Sequence, residues 1–239
     1  MKIDSRIDTV LFDLDGTLVP MDLEEFTNEY FAELSAKAAA YGYEPKKTVS
    51  SVWAATKAMM QNDGSAANME VFWDAFCQIM GEDASKLQIP FDGFYREEFD
   101  RVKRVIKPNP YARPLIDHLK AEGYTIAVAT NPFFPLDGNL TRMNWVGLNE
   151  EDFSLITSYE TSRYCKPNIG YYREITEKLG KEPESCIMIG NDAIEDLAAE
   201  ALGMDSFIVT EFLINKDGRD ISGYKQGEFK DLLEFFKVN

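Results

Sequence analysis

Short apolar segments rich in β-branched residues alternate along the chain with longer segments in which apolar residues recur at helical spacing. The apolar segments predict buried β-strands at residues 9–12, 125–130, 186–190 and 206–209, with a further strand at 153–158. Between them, helical spacing that ends at a glycine predicts helices at residues 115–123 and 171–180. The repeated order of strand and then helix indicates an α/β fold, a parallel sheet with helices on both faces.

Residues 19–105, which we call the cap segment, interrupt this alternation. They contain helical patterns and no segment that is typical of a strand. The predicted helices span residues 22–41, 46–61, 69–80 and 94–105, separated by glycines and prolines that include Pro90 and Gly93. We therefore expect an α/β core built from residues 1–18 and 106–239, and an inserted all-helical lid formed by the cap segment.

The charge of the chain narrows the class of partner. Its 239 residues carry 41 acidic against 25 basic side chains, a formal net charge of −16. This excess of negative charge disfavours nucleic acid or an anionic membrane as the main partner. No apolar run reaches the roughly 18 residues of a membrane span, and the N-terminal residues lack the apolar stretch of a signal peptide, so we expect a cytoplasmic protein.

The number and positions of the cysteine and histidine residues disfavour disulfide bonds and histidine-dependent catalysis. Cys77, Cys165 and Cys186 form no CxxC pair and are odd in number, which predicts reduced residues in the core and no disulfide framework. The single histidine, His118, lies in an amphipathic segment and is expected on a helix surface. A catalytic triad that depends on histidine is therefore not expected.

Polar residues stand where several predicted strands end or where the following loops begin. In chain order they are Asp13, Asp15, Thr130, Asn131, Lys166, Asp192 and Asp196. In a parallel sheet the ligand site lies just beyond the carboxyl ends of the strands, so these side chains should meet. Met21 and Asp22 follow closely after the first strand and are expected near the same site.

Asp13 and Asp15 would be buried together if the first strand continued through them. Burying unpaired carboxylates is costly, so the strand should end here, with a cation or strong hydrogen bonds as compensation. Gly16 permits the tight turn that this requires. A site with only oxygen ligands suits Mg²⁺, while Lys166 and the Thr130 hydroxyl suit an anionic substrate. Together these are the parts that phosphoryl transfer needs.

Four segments of the chain resemble, in the expected order, the four motifs of the haloacid dehalogenase (HAD) superfamily. They are "DLDGTL" at 13–18, the strand that ends in Thr130, "KP" at 166–167 and "IGNDAIED" at 189–196. The helical cap segment is similar to the C1 cap of phosphoglycolate phosphatase-like members. The resemblance implies a HAD-like Rossmann-type core and a magnesium-dependent phosphatase that hydrolyses a small phosphorylated metabolite.

The resemblance also implies a role for each site residue. Asp13 would be the nucleophile that forms an aspartyl-phosphate, and Asp15 the general acid and base. The carboxylates of Asp13 and Asp192 and the backbone carbonyl of Asp15 would hold Mg²⁺. Since Asn191 separates the fourth-motif glycine from its acid, Asp196 would either support Asp192 or replace it as the ligand. The residues implied in phosphate binding are Thr130, Asn131, Lys166 and Gly16.

Several alternatives stay open on the sequence. A phosphomutase would use the same groups, and a haloacid dehalogenase would have the same fold without needing Asp15 as an acid. A phospho-accepting signalling or binding module also combines acidic residues, a hydroxyl and a lysine, although in another motif order. The substrate remains unassigned among phosphoglycolate, sugar phosphates and nucleoside monophosphates, and the oligomeric state is unknown. Apolar residues of the cap segment are expected mostly in its core: Trp53, Met59, Met60, Phe72, Trp73 and Phe76.

Overall fold

The computed structural model describes residues 3–238, and within them it contains one parallel sheet in the strand order β3-β2-β1-β4-β5-β6. The strands are β1 (Thr9–Phe12), β2 (Thr125–Val128), β3 (Leu155–Ile156), β4 (Cys186–Gly190), β5 (Asp205–Val209) and β6 (Lys225–Gly227). The predicted α/β class is confirmed. The strand ends two residues earlier than predicted: the Ala129 amide still donates to the Phe12 carbonyl at 2.7 Å, but the Thr130 carbonyl accepts hydrogen bonds from the Tyr171 and Thr157 hydroxyls.

The strand β1 lies at the centre of the sheet and aligns the ends of its neighbours. Phe12 pairs with Val128 of β2 and with Ile189 of β4. The chain goes from β1 to β2 and β3 on one side and then crosses to β4, β5 and β6 on the other. The carboxyl end of β1 is therefore the topological switch point where a ligand site is expected.

Helices cover both faces of the sheet, as the sequence predicted. They are α5 (Ala112–Ala121), α6 (Leu136–Trp145), α7 (Ile169–Leu179) and α8 (Asp231–Phe235), with short 3₁₀ segments at Glu150–Asp152, Pro183–Ser185 and Asp196–Leu202. Alternate residues of β1 point to opposite faces. Val10 and Phe12 join one buried cluster with Leu115 of α5, whereas Leu11 joins another with Tyr171 and Tyr172 of α7.

The part of the chain between β1 and α5 that forms regular structure is helical. It contains α1 (Leu23–Ala40), α2 (Pro45–Met60), α3 (Asn68–Met80) and α4 (Gln88–Arg96), with 3₁₀ segments at Glu82–Leu87 and Glu98–Val105. Asp22 caps α1 by accepting a hydrogen bond from the Glu25 amide at 2.9 Å. Phe26, Tyr30, Leu34 and Ala38 recur every four residues on the buried face of α1.

The predicted helix at 94–105 was wrong in its bounds. The chain instead forms α4 and then a 3₁₀ segment from Glu98, and both Pro90 and Gly93 lie inside α4 rather than between helices. Pro90 occupies the first turn, where a missing backbone N–H removes no intrahelical hydrogen bond. Pro90 therefore lies at the start of a helix, where the sequence analysis had placed a break between helices.

The two ends of the cap segment lie next to each other. Met21 forms an antiparallel bridge with Ile106, and the Lys107 amide donates to the Pro20 carbonyl at 2.9 Å. The side chain of Asn109 donates to the Leu18 carbonyl at 2.9 Å. Both connections therefore lie beside the end of β1.

The cysteines and the histidine lie away from the carboxyl end of β1 or are buried in the packing of the chain. All three cysteines are free; Cys165 and Cys186 are buried, and Cys77 is partly buried against the core. His118 is half-buried on α5, where its Nε2 lies 2.9 Å from the Phe236 carbonyl oxygen. Within residues 3–238, none of the helices has the length and apolar character that crossing a membrane requires.

Candidate active site

A cavity of ≈ 1040 Å³ opens at the carboxyl ends of β1, β2 and β4, between the sheet and the helices of the cap segment. Most of the predicted site residues line it: Asp13, Asp15, Gly16, Thr130, Asn131, Asp192 and Asp196, together with Met21 and Asp22. Lys166 lies behind this wall and reaches the site through its ammonium group. The structure thus brings the predicted residues together at one end of the sheet.

The ammonium group of Lys166 joins two of the predicted carboxylates. Its Nζ lies 2.9 Å from Asp13 Oδ1 and 2.6 Å from Asp196 Oδ1, and the lysine side chain is only 1% exposed. Burial alone would lower the pKa of Lys166, but Asp13 and Asp196 outweigh this effect and hold the pKa well above its usual value. Lys166 is therefore a buried cation shared by two acids.

Asp13 directly follows the central strand β1. Its amide donates to the Ile189 carbonyl at 2.8 Å, after which the chain folds back in a tight loop. Burial raises the pKa of Asp13 above its usual range, and Lys166 acts in the opposite direction. Lys166 carries one positive charge and contacts the two buried carboxyl groups of Asp13 and Asp196. When both carboxyl groups are ionised, the three side chains together carry one net negative charge.

The fourth-motif acids occupy different environments. Asp196 is buried, with Oδ1 on Lys166 and Oδ2 accepting from the Asp192 amide at 2.9 Å. Asp192 is half-buried, and its Oδ1 accepts from the Ile194 and Glu195 amides, each at 2.8 Å. Both oxygens of Asp196 are thus engaged within the protein, whereas Asp192 stands at the cavity wall with one oxygen fixed.

Gly190, the last residue of β4, lets Asp196 approach the strand. A Cβ built on Gly190 would lie 2.0 Å from Asp196 Oδ2, far closer than real Cβ contacts. The fourth motif therefore requires glycine at this position, because the absence of a side chain makes room for the carboxylate that pairs with Lys166.

The loop after β2 is fixed by side-chain hydrogen bonds. The Thr130 carbonyl accepts from Tyr171 Oη and from Thr157 Oγ1, both at 2.7 Å. Asn131 Oδ1 accepts from the Lys166 amide at 3.2 Å, and its Nδ2 donates to Glu195 Oε2 at 2.9 Å. Residues from three separate loops are therefore tied to one another around the cavity.

Gly16 adopts the turn that its sequence position predicted. Its φ of 81° lies in the region that favours glycine, and its amide donates to the Val19 carbonyl at 2.9 Å. A Cβ at this position would lie 2.4 Å from Asn191 Nδ2. Gly16 thus lets the first and fourth motifs pack closely, while its role in phosphate binding stays a prediction.

Arg142 is a site residue that the sequence did not reveal. It lies on α6 with its side chain fully buried, and its Nη1 pairs with Asp15 Oδ2. Its Nε donates to the Gly138 carbonyl at 3.2 Å, and the guanidinium lies 4.1 Å from the centre of the Phe134 ring. Asp15 Oδ1 is buried without a hydrogen-bond partner among the described residues. The two aspartates of the first motif are thus held by different cations.

Glu195 is a second residue that sequence reasoning did not select, although it lies within the quoted fourth motif. It lines the cavity, and burial raises the pKa of its carboxyl group to about 7. Its partner Asn131 is 64 residues away in the chain, so only the fold brings the two together.

The cap segment contributes a mainly aromatic wall to the cavity. Trp53, Phe72 and Trp73 line it, although these apolar residues were expected mostly in the core of the cap segment, whereas Met59 and Phe76 are buried in the core and Met60 is exposed. Spacing alone could not separate these residues, since all lie on helices that pack against their neighbours on one side and face the cavity on another.

The family described as haloacid dehalogenase-like hydrolase matches residues 7–203 of this chain. The chain belongs to this family. The match spans β1 to the end of the 3₁₀ segment that follows β4 and therefore includes every predicted site residue of this hydrolase.

Related proteins of this family are phosphatases by name. A protein of Methanothermobacter thermautotrophicus named glyceraldehyde 3-phosphate phosphatase is 24% identical, over 89% of this chain and 93% of its own length. A phosphoglycolate phosphatase of Xylella fastidiosa is 26% identical, over 84% of this chain and 79% of its own length.

Solved structures share the fold over nearly the full length of the chain. A predicted phosphoglycolate phosphatase from Haemophilus somnus has a TM-score of 0.60 at 18% identity and covers 96% of this chain and 98% of its own. A HAD phosphatase from Thermococcus onnurineus has the same TM-score at 19% identity, covering 98% and 99%. These likenesses extend through the helical cap segment as well as the sheet.

Proposed function

We propose that this haloacid dehalogenase-like hydrolase is a magnesium-dependent phosphatase that acts on a small phosphorylated metabolite through an aspartyl-phosphate. One observation carries the proposal: the buried contact of Lys166 with Asp13 and Asp196 at the end of the central strand, open to a large cavity. The names of the related proteins support hydrolysis of a phosphate ester.

The oxygen donors at the end of β1 fit Mg²⁺. Among the described residues, no group of three or more His, Cys, Asp or Glu side chains is arranged around a metal position. A site that uses two carboxylates and one backbone carbonyl does not need such a group, because Mg²⁺ keeps several waters and phosphate oxygens as ligands. Asp13, Asp192 and the carbonyl of Asp15 would hold the ion, which would neutralise charge on the phosphoryl oxygens.

Asp192 is the better candidate than Asp196 for the second carboxylate ligand. Lys166 and the Asp192 amide already engage both oxygens of Asp196. Asp192 lines the cavity, and two backbone amides orient it through one oxygen. Asp196 would thus act by positioning Lys166.

Each step of the proposed reaction uses a residue of this chain. A carboxylate oxygen of Asp13 forms a bond to phosphorus as the bond to the leaving oxygen breaks, and Asp15 donates a proton to that oxygen. Water then attacks phosphorus and gives its proton to Asp15, which releases inorganic phosphate and restores Asp13. Thr130, Asn131 and Lys166 would hold the transferred group and balance its charge.

We also propose that residues 19–105 form a cap domain on a core of residues 1–18 and 106–239. Regular structure between β1 and α5 in the described chain is helical, and the two connections to the core run side by side. Such a pair of adjacent connections allows the inserted helices to act as a unit over the cavity.

Release of phosphate from p-nitrophenyl phosphate tests the proposed function. With Mg²⁺ present we expect steady turnover, and with Asp13→Asn we expect a loss of at least about 10³-fold while the far-UV circular dichroism spectrum is unchanged. Asp74→Asn, at an exposed position of α3 outside the cavity, is the matched control and should keep activity. Undiminished turnover in Asp13→Asn would overturn the nucleophile assignment. Stoichiometric phosphorylation without turnover would overturn the phosphatase assignment in favour of a phospho-accepting module.

A further inference from the structure

The size of the cavity favours a substrate whose leaving group is larger than two or three carbon atoms. At ≈ 1040 Å³ it is at the upper end of the range of roughly 300–1,000 Å³ in which proteins bind small molecules. Phosphoglycolate or glyceraldehyde 3-phosphate would place only two or three carbon atoms beyond the phosphate. Most of the space in the cap segment would then remain filled with water against apolar walls.

Aromatic side chains form a large part of the walls of this space. Phe26, Tyr30 and Tyr95 of the cap segment are buried and line the cavity. Phe134, which lies outside the cap segment, also lines it. The hydroxyl groups of Tyr30 and Tyr95 lie 2.7 Å apart, so one of them donates a hydrogen bond to the other and only one O–H hydrogen of the pair is left for another acceptor. Asn28 and Thr56 add uncharged polar atoms to the lining and no charge.

The charges around the cavity disfavour a second anionic group on the substrate. In the described part of the chain, Lys216 is the only cationic residue that lines the cavity, and it is exposed. Arg142, behind the wall, is already paired with Asp15. Asp22, Glu24 and Glu211 also line the cavity and add negative charge to it. An additional carboxylate or phosphate would therefore lose its water without gaining a buried cation.

We propose that the preferred substrate is a phosphate monoester whose leaving group is an uncharged aromatic or other flat apolar alcohol. This inference rests on the proposed phosphatase function and deepens it. The phosphate binds at the carboxyl ends of the strands, and the ring stacks among the aromatic side chains of the cap segment, where offset and edge-to-face contacts add to the burial of apolar area.

Esters of primary alcohols test this proposal without differences in leaving-group chemistry. We would compare kcat/KM for ethyl, benzyl and 4-carboxybenzyl phosphate, phosphoglycolate and glucose 6-phosphate, all with Mg²⁺. We expect benzyl phosphate to exceed ethyl phosphate by about tenfold or more. The carboxylate should reduce kcat/KM by about tenfold or more in each matched pair, 4-carboxybenzyl against benzyl and phosphoglycolate against ethyl. Glucose 6-phosphate should fall below benzyl phosphate.

Variants then locate the preference in the cap segment. Trp53 lines the cavity, is 52% exposed and packs on Phe31 at 5.3 Å between ring centres, so its truncation should leave the fold intact. Trp53→Ala should lower the ratio of kcat/KM for benzyl to ethyl phosphate by about threefold or more. Ile89→Ala, at an apolar position that is 81% exposed outside the cavity, should leave that ratio unchanged.

The outcomes separate this inference from the function on which it rests. If no ester releases phosphate, the proposed phosphatase function fails. If esters are hydrolysed but phosphoglycolate or glucose 6-phosphate exceeds benzyl phosphate, or Trp53→Ala leaves the benzyl-to-ethyl ratio unchanged, the substrate class is wrong and the function stands. A loss of carboxylated substrates alone in Lys216→Ala would show that Lys216 recognises a second anion, which would also overturn the proposal.

Discussion

Asp13 and Asp15 lie two residues apart, yet the fold gives them different cations. Asp13 contacts a lysine that it shares with Asp196, and Asp15 contacts the buried guanidinium of Arg142. A guanidinium cannot lose its proton in a protein and presents several donors in a fixed plane. Arg142 therefore fixes the position of the carboxylate of Asp15, and we expect it to matter most for the step in which Asp15 moves a proton.

The chemical step that depends on Arg142 can be isolated by the choice of leaving group. p-Nitrophenolate leaves without protonation, whereas an alkoxide needs a general acid, an effect of roughly 10²–10⁴-fold. We expect Arg142→Gln to lower kcat for benzyl phosphate at least about tenfold more than kcat for p-nitrophenyl phosphate. Both substrates are assayed on one preparation, so the ratio does not depend on the fraction that is folded.

Two further variants control this comparison. Arg142→Lys keeps the charge but loses the fork of donors, and its ratio should lie between those of the wild type and Arg142→Gln. Arg101→Gln removes an exposed arginine that pairs with Glu33 outside the cavity and should not change the ratio. Equal losses for both substrates in Arg142→Gln would show that Arg142 supports only the structure.

The sequence contained enough information to find Asp13 and Asp15 but not Arg142. A carboxylate pair at the end of an apolar strand conflicts with burial, and that conflict is visible in the sequence. An arginine in the middle of a helix is ordinary, and its burial here depends on Phe134 and Asp15, which approach only in the folded chain. Glu195 escaped notice for the same reason, because Asn131 is its distant partner.

At the scale of elements, the end of β4 controls the contact between Asp196 and Lys166. Gly190→Ala would place a methyl group 2.0 Å from the present position of Asp196 Oδ2, so the carboxylate must move away. We expect a loss of phosphatase activity of about tenfold or more and a destabilisation of about 1–3 kcal/mol, measured by urea unfolding.

Gly93→Ala is the matched control for this substitution. Gly93 lies in α4, and a Cβ there meets no atom within 4 Å. Since alanine favours a helix interior over glycine, this variant should be more stable by about 0.5–1 kcal/mol and fully active. If Gly190→Ala keeps full activity, the Asp196–Lys166 contact is not needed for turnover.

Helices and strands with a clear apolar pattern in their own residues could be located from the sequence. The apolar segments of β1, β4 and β5 and the helical spacing of α1, α2 and α3 were read correctly to within one or two residues. The strand β6 was missed, because its residues, Lys-Gln-Gly, have no apolar pattern and pair only through the edge of β5. Its formation depends on the rest of the sheet.

For the whole molecule, the net charge of −16 and the carboxylates around the cavity have a joint consequence. Like charges that converge in a partly buried site destabilise the folded chain unless a cation binds. An unfolded chain does not bring Asp13 and Asp192 together, so Mg²⁺ should bind the folded state in preference. Binding of this kind raises stability by mass action even when no substrate is present.

We therefore expect Mg²⁺ to raise the melting temperature of the protein above its value in EDTA. At about 100 times the dissociation constant, the gain is about 2.7 kcal/mol, or roughly 5–10 °C for a chain of this size, measured by calorimetry. Asp192→Asn should lose most of this shift, and Asp74→Asn should keep it, because Asp74 lies outside the cavity. If instead Asp196→Asn abolishes the shift while Asp192→Asn retains it, Asp196 is the ligand, and Lys166 must give up its contact with Asp196 when the metal binds.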